Sequence, residues 1–380
     1  MDPQTLIAPA SPLGFPAPYW FLVVFKALGF ALHAVPMNVI LAGLVVVLIL
    51  DRFGCGHAQR LARRLARQMP VVVAFAVNLG VVPLLFTQVI YYRVFYPATI
   101  LMAWPWFAII GMLTLAYYGV YIYAVGQRHE TLTAWKKAAG WGASLLLIGI
   151  AFNFSSGFSC MTHLEAWPAL WQKANVAGAP TGLTHYVSPD QGARWLMMFG
   201  LALTTTVAYL VVDAGWFARP QDSDYQRWLS AFAVKLSTVG VLWFSLAGAW
   251  YVFGTWPVEL RRFMSNGAQA GLAVLTALSP GLPWLFLVGQ ARRGRLTRGW
   301  TGAVAGAQLG VIGLNVVSRQ IVQNWELRRF LDPGAESVTT QWGPLFLFLG
   351  LFLVALLVIA WLIRQILRAA PESGSPAFER

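Results

Sequence analysis

Charged residues are scarce in this chain. Of its 380 residues only 11% are Asp, Glu, Lys or Arg, whereas soluble domains carry about 25%. Hydrophobic residues make up 58%, and the mean hydropathy is +0.62. A composition this apolar excludes a soluble globular protein.

Cysteine is almost absent too, because the chain has only Cys55 and Cys160. The sequence contains no CxxC pair, which often holds zinc or an iron–sulfur cluster, and no CxxCH motif for covalent attachment of haem c. The topology predicted below places the two cysteines on opposite sides of a membrane. We therefore expect no disulfide bond between them.

Acidic residues are few, with 14 Asp and Glu against 27 Lys and Arg, so the net charge is +13. Such a basic chain raises the hypothesis of nucleic-acid binding. However, no basic face combines with aromatic platforms as that binding requires. Most of the arginines fall in short loops on one side of the predicted membrane domain, which the positive-inside rule explains. We expect the lipid bilayer, and no nucleic acid, as a partner.

Long apolar stretches occupy most of the remaining sequence. A helix needs roughly 20 apolar residues to cross the hydrocarbon core, and inside lipid the backbone must satisfy its own hydrogen bonds. The pattern predicts an all-α, polytopic membrane protein with nine transmembrane helices. The predicted spans are 19–50, 70–92, 98–126, 138–158, 194–214, 228–253, 266–289, 300–321 and 343–364.

The distribution of basic residues predicts the orientation and the division of the chain. Arg194, Arg319 and Arg328 are among the few counted with the less basic side, so we expect the N-terminus outside and the C-terminus in the cytoplasm. The predicted parts are an outer N-terminal segment (1–18), helices one to five with an outer loop (19–215, loop 159–193), helices six to nine (216–364) and a cytoplasmic tail (365–380).

Ionisable residues inside a membrane are costly and therefore mark candidate functional positions. Asp213 ends the fifth span, where pairing with Arg219 is one interpretation, and no Glu falls inside any predicted span. Lys26 and Lys235 lie near span ends, from which a long side chain can reach the interface. So few carboxylates make this chain a poor candidate for moving or consuming protons.

His33 lies midway along the first span and is the one His within a predicted span. A neutral imidazole is a good iron ligand, and the alternative is a buried His that hydrogen-bonds to a neighbouring helix. A second axial ligand for a haem would have to come from elsewhere. His163 and His185 fall in the outer loop, close enough to reach a shallow haem or a partner's cofactor.

Met197 and Met198 open the fifth span. A thioether can be an axial haem ligand, although Met in an apolar helix more often fills the core. Glycines are expected at close helix contacts, and residues 279–283 (SPGLP) should break the seventh helix. The glycines in question are Gly140, Gly142, Gly149, Gly302, Gly306, Gly310 and Gly313.

Several of these motifs resemble subunit I of the cytochrome bd-type quinol oxidases. In that family a His followed closely by Pro in the first helix binds a b-type haem, and residues 33–36 (HAVP) are similar. Residues 78–80 (NLG) resemble the second helix, and the stretch from Asn153 to Trp171 resembles the fourth helix and its outer segment. Met197 stands where the family has a haem-ligating His in the fifth helix.

The chain also departs from the family pattern. The glutamates of the family's third helix are missing from residues 100–119, and the long quinol-binding loop is reduced to residues 254–265. The resemblance therefore implies a bd-like scaffold without an oxygen-reducing site.

Three hypotheses for function follow. The first is an integral membrane subunit of a respiratory or electron-transfer complex in the bacterial inner membrane. It would hold one haem b through His33 and dock an external c-type cytochrome near His163, His185 and Arg328. The second is a haem-free membrane anchor for other subunits. The third is a transporter or channel whose polar path includes the broken seventh helix, Lys26 and Lys235. If the chain belongs to an oxidoreductase complex, we expect it to be at most a non-catalytic or electron-transfer subunit.

Overall fold

A computed structural model describes residues 2–129, 131–217, 223–294 and 296–372 of the chain. Among these residues nine helices are long and apolar enough to cross a membrane, so the predicted all-α, multi-pass architecture is confirmed. They are α1 (Tyr19–Phe53), α2 (His57–Ile90), α3 (Ala103–Arg128), α4 (Ala134–Thr162), α5 (Gln191–Phe217), α6 (Asp224–Thr255), α7 (Gly267–Arg292), α8 (Arg298–Leu327) and α9 (Trp342–Glu372).

The two ends of the bundle differ in what connects the helices. At one end, here called the Trp167 end, the connections include the short helices Tyr92–Leu101, Trp167–Lys173 and Val258–Met264. At the other, here called the Phe53 end, the connection that the structure describes in full is a short loop, residues 54–56 between α1 and α2. Cys55 lies at the Phe53 end, and Cys160 is buried beside Trp167 at the opposite end, in agreement with the predicted separation.

Several helices extend beyond their predicted spans. The first three turns of α2 carry four arginines, so hydropathy alone missed them. Leu61, Leu65 and Met69 repeat at helical spacing and are buried, because they pack in the core of the bundle. Similarly, α8 continues to Leu327. The helix therefore includes Glu326, which corrects the prediction that no glutamate falls within a span.

Two helices are irregular inside the bundle. In α1 a π-helical turn, Val39–Gly43, follows Pro36. Proline removes a backbone N–H and crowds the carbonyl four residues earlier, so local rearrangement of the helix is expected. In α7 the helix breaks between Leu278 and Gly281, as predicted from the Ser-Pro-Gly sequence.

A close backbone contact joins α5 and α6. A Cβ built on Gly200 would lie 2.5 Å from the backbone N of Phe244, and one on Gly240 would lie 2.9 Å from Thr204 Cγ2. These two glycines let the helix backbones touch. The sequence-based choice of glycines was partly wrong. Gly140 and Gly149 do meet neighbouring side chains, but nothing lies within 4 Å at Gly142, Gly306, Gly310 and Gly313.

Asp213 forms the best-defined ion pair of the bundle. Its Oδ2 accepts from Arg64 Nε at 2.5 Å and its Oδ1 accepts from Arg64 Nη2 at 2.9 Å. Gln68 Nε2 donates to the same carboxylate at 2.8 Å. Arg219, the partner suggested by the sequence, lies outside the described residues. The observed pair joins α2 to α5 near the Phe53 end.

We expect Asp213→Asn to lower the free energy of unfolding by about 2 kcal/mol, because it leaves a partly buried Arg64 without its counter-charge. The measurement is thermal unfolding of the purified protein in detergent. Asp224→Asn is the matched control, since its pair with Arg227 is exposed (side-chain exposure 73% and 65%) and should be worth less than about 1 kcal/mol. Equal losses in the two variants would contradict this account.

Candidate cofactor site

His33 lies on α1 and is turned toward α2. Its Nδ1 is 2.9 Å from the carbonyl oxygen of Ala76. A carbonyl only accepts, so this contact places the ring proton on Nδ1 and leaves the lone pair of Nε2 available. The predicted alternative, a buried His bonded to a neighbouring helix, describes this contact as well. It uses only one of the two ring nitrogens.

Gly80 makes room for the His33 ring. A Cβ on this residue would lie 2.9 Å from His33 Cε1 and 3.0 Å from Nδ1. Any larger residue would push the imidazole away from α2 and stretch its bond to Ala76. The Asn-Leu-Gly sequence on α2 therefore has a steric role beside His33.

Arg319 lies on α8, which packs against α1. Its Cζ lies 4.7 Å from the ring centroid of Phe30 and 5.4 Å from that of Phe158. Within the described part of the chain, no carboxylate oxygen comes within 4.0 Å of its guanidinium. It interacts electrostatically with His33. The sequence analysis counted Arg319 with a loop, but the structure places it deep in the bundle.

A second polar group lies closer to the Trp167 end; we call His163, Asp190, Arg194 and Glu326 the Trp167-end cluster. Arg194 Nη1 is 3.2 Å from Asp190 Oδ2, and His163 Nε2 is 3.7 Å from Asp190 Oδ1. Glu326 interacts electrostatically with Arg194 and with His163. The cluster thus joins the predicted residue His163 to three charged residues that the sequence analysis did not select.

Lys26 does not extend to the membrane interface. Its Nζ donates to Gln320 Oε1 at 2.7 Å and to Gln323 Oε1 at 3.1 Å. The ammonium also lies 4.7 Å from the centre of the Tyr91 ring. Its donors therefore have neutral partners on α8, which hold its charge within about one helical turn of Arg319.

Met197 and Met198 pack in an apolar cluster with Leu201, Phe244 and Val311. The Sδ atom of Met197 lies 3.4 Å from the position of a Cβ built on Gly248. These contacts are those of core residues at the α5–α6 contact. They do not join either thioether to His33.

His185 lies in the loop before α5. Its Nε2 is 3.0 Å from Asn153 Oδ1, and its ring stacks on Phe152 at a centroid distance of 6.0 Å. Partial burial lowers the pKa of His185, because desolvation disfavours the charged imidazolium. The contacts with Asn153 and Phe152 hold the residue against α4.

The residues around His33 have two features that a site for a b-type haem would use. A metal-ligating His usually donates its other ring N–H to a carbonyl or carboxylate, as Nδ1 does to Ala76. A haem also brings carboxylates, and Arg319 supplies a guanidinium without an acidic partner. The side chains of His33 and Arg319 both lie inside the bundle. Each is half-buried, so part of its surface is not covered by protein atoms.

Of three comparisons with known proteins, the one with solved structures gives a match, and that match concerns the fold. No protein-family model matches the sequence, and no curated protein matches it. A chain in the structure of bd oxidase from Geobacillus thermodenitrificans is similar at 14% identity with a TM-score of 0.59, covering 98% of this chain and 99% of that one. At this identity the likeness shows the fold alone. The chain has a bd-oxidase-like fold over its whole length, and its assignment to subunit I stays a prediction.

Proposed function

We propose that this chain is an integral membrane subunit of a respiratory or other electron-transfer complex and that it holds one b-type haem through Nε2 of His33. The observation that carries the proposal is the bond from Nδ1 to the Ala76 carbonyl, which fixes the tautomer and leaves Nε2 free to bind iron. A bound haem would supply one-electron redox chemistry.

The protein's own residues would set the conditions for that chemistry. Ala76 and Gly80 hold the imidazole in one orientation, and Phe30 packs near its ring at a centroid distance of 6.3 Å. The apolar helices keep bulk water away. No glutamate lies on α3, which supports electron transfer without oxygen reduction.

We further propose the bacterial inner membrane as the location, with the Trp167 end outside. An external c-type cytochrome would then dock at that end, close to His163, His185 and the exposed Arg328. Basic and aromatic side chains are suitable contacts for such a partner, because electrostatic steering guides redox proteins into transient complexes. Other subunits of the complex would contact the apolar faces of the bundle.

The visible spectrum of the purified protein tests the proposal. We expect a reduced-minus-oxidised difference spectrum with the Soret and α bands of haem b, and about one extractable haem per chain, because His33 offers one axial nitrogen. A colourless preparation from cells supplied with haem precursor would contradict the proposal. It would leave the haem-free anchor and the transporter or channel as the interpretations.

A further inference from the structure

Among the residues that the structure describes, none provides a hydrogen-bond acceptor or a carboxylate partner for the guanidinium of Arg319. Arg has five N–H donors and is always charged. The rings of Phe30 and Phe158 attract the cation, but a π face does not replace hydrogen-bond acceptors in the plane of the guanidinium. Leaving such donors unpaired inside a protein is costly. The N–H donors of this guanidinium can therefore bind an acceptor that is not part of the chain.

The charged residues near Arg319 also favour an anionic ligand from outside the chain. Two other cations, Lys26 and Arg194, interact unfavourably with Arg319. Glu326 interacts favourably with Arg319 but also with Arg194 and His163, and the second carboxylate, Asp190, pairs with Arg194. The region therefore has an excess of positive charge within the membrane-spanning bundle, where an uncompensated charge is expensive. An anionic ligand would balance it.

Phe30 connects this cation to the proposed iron ligand. The His33 ring centroid lies 6.3 Å from that of Phe30, and Arg319 Cζ lies 4.7 Å from the same centroid. The imidazole and the guanidinium are therefore no farther apart than these two distances combined. A haem held by its iron at one of these groups can reach the other with a propionate.

We infer that Arg319 binds a carboxylate, and specifically a propionate of the haem, as a two-pronged ion pair between α1, α4 and α8. This inference rests on the proposed function. The planar fork of Arg matches the two oxygens of a carboxylate. Lys26, whose donors are occupied by Gln320 and Gln323, adds positive potential without competing for the ligand.

The test is a spectroelectrochemical titration of the haem in Arg319→Leu, Arg319→Gln and Arg319→Lys. Removing a cation beside the haem disfavours the electron-rich reduced state, so the Leu and Gln variants should shift the midpoint potential downward. Haem transfer from these variants to apomyoglobin should be faster by roughly tenfold, the equivalent of one charge-assisted hydrogen bond. Arg319→Lys keeps the charge and should keep most of the potential.

Arg262→Leu is the matched control, because Arg262 is an exposed arginine at the same end of the bundle and should change neither quantity. The Gln variant gives the answer if the Leu variant fails to fold. Wild-type potential and transfer rate in a haem-loaded Leu or Gln variant would overturn the inference and leave the haem on His33 intact. A wild-type protein without haem would instead refute the proposed function, and this inference with it.

Discussion

The His33→Ala variant is expected to contain less than a tenth of the wild-type haem while remaining folded in the membrane. Alanine removes the imidazole nitrogen that we propose as the iron ligand, and the neighbouring Ala76 and Gly80 offer no replacement side chain. His33 is half-buried, so its loss should leave helix packing largely unchanged. The measurements are haem content per chain and the reduced-minus-oxidised spectrum, together with size-exclusion chromatography to confirm folding.

His129→Ala is the control for this variant, since His129 is exposed at the Phe53 end and should retain the full spectrum. His163→Ala and His185→Ala separate the predicted alternatives. In the structure His163 contacts Asp190 and His185 contacts Asn153, so both variants should keep their haem. Loss of the spectrum in either one, with retention in His33→Ala, would contradict the assignment.

Gly200→Ala is expected to destabilise the bundle by about 3 kcal/mol, near the upper end for overpacking. The added Cβ would lie 2.5 Å from the backbone N of Phe244 and 2.8 Å from its Cα. Backbone atoms cannot move aside as the end of a flexible side chain can, so α5 and α6 must separate. The measurement is the thermal unfolding midpoint in detergent.

Gly306→Ala provides the matched comparison, because Gly306 also lies inside a membrane helix but has nothing within 4 Å of its added Cβ. Alanine is a better helix former than glycine by up to about 1 kcal/mol, so this variant should be neutral or slightly stabilised. If Gly200→Ala unfolds at the wild-type temperature, the close approach of α5 and α6 is wrong.

The nine-helix fold could be predicted from the sequence, because the length of each apolar run determines whether it crosses the membrane. Runs such as residues 41–50 and 345–363 are too long and too apolar for soluble elements, and the break at Ser279–Pro280 follows from proline chemistry. The helix ends were less predictable. Hydropathy falls where arginines begin on α2, but the helix continues because its apolar positions still meet at helical spacing.

The sequence predicted one residue of the candidate site, His33, but not the residues around it. His33 could be found because an imidazole in a membrane span is rare. The sequence analysis counted the charge of Arg319, near the end of the predicted eighth span, with the outer side, and it ended that span before Glu326. Their position is known only when α8 packs against α1, α4 and α5. The same limit applies to Asp213, whose partner Arg64 is distant in sequence and lies on another helix.

An experimental density map of the purified protein is the most direct test of haem ligation by His33. The account predicts a porphyrin with its iron bound to His33 Nε2, while Nδ1 keeps its bond to the Ala76 carbonyl. A map of the folded protein, isolated from haem-replete cells, in which the His33 ring touches only neighbouring side chains and no porphyrin lies in the bundle would contradict it.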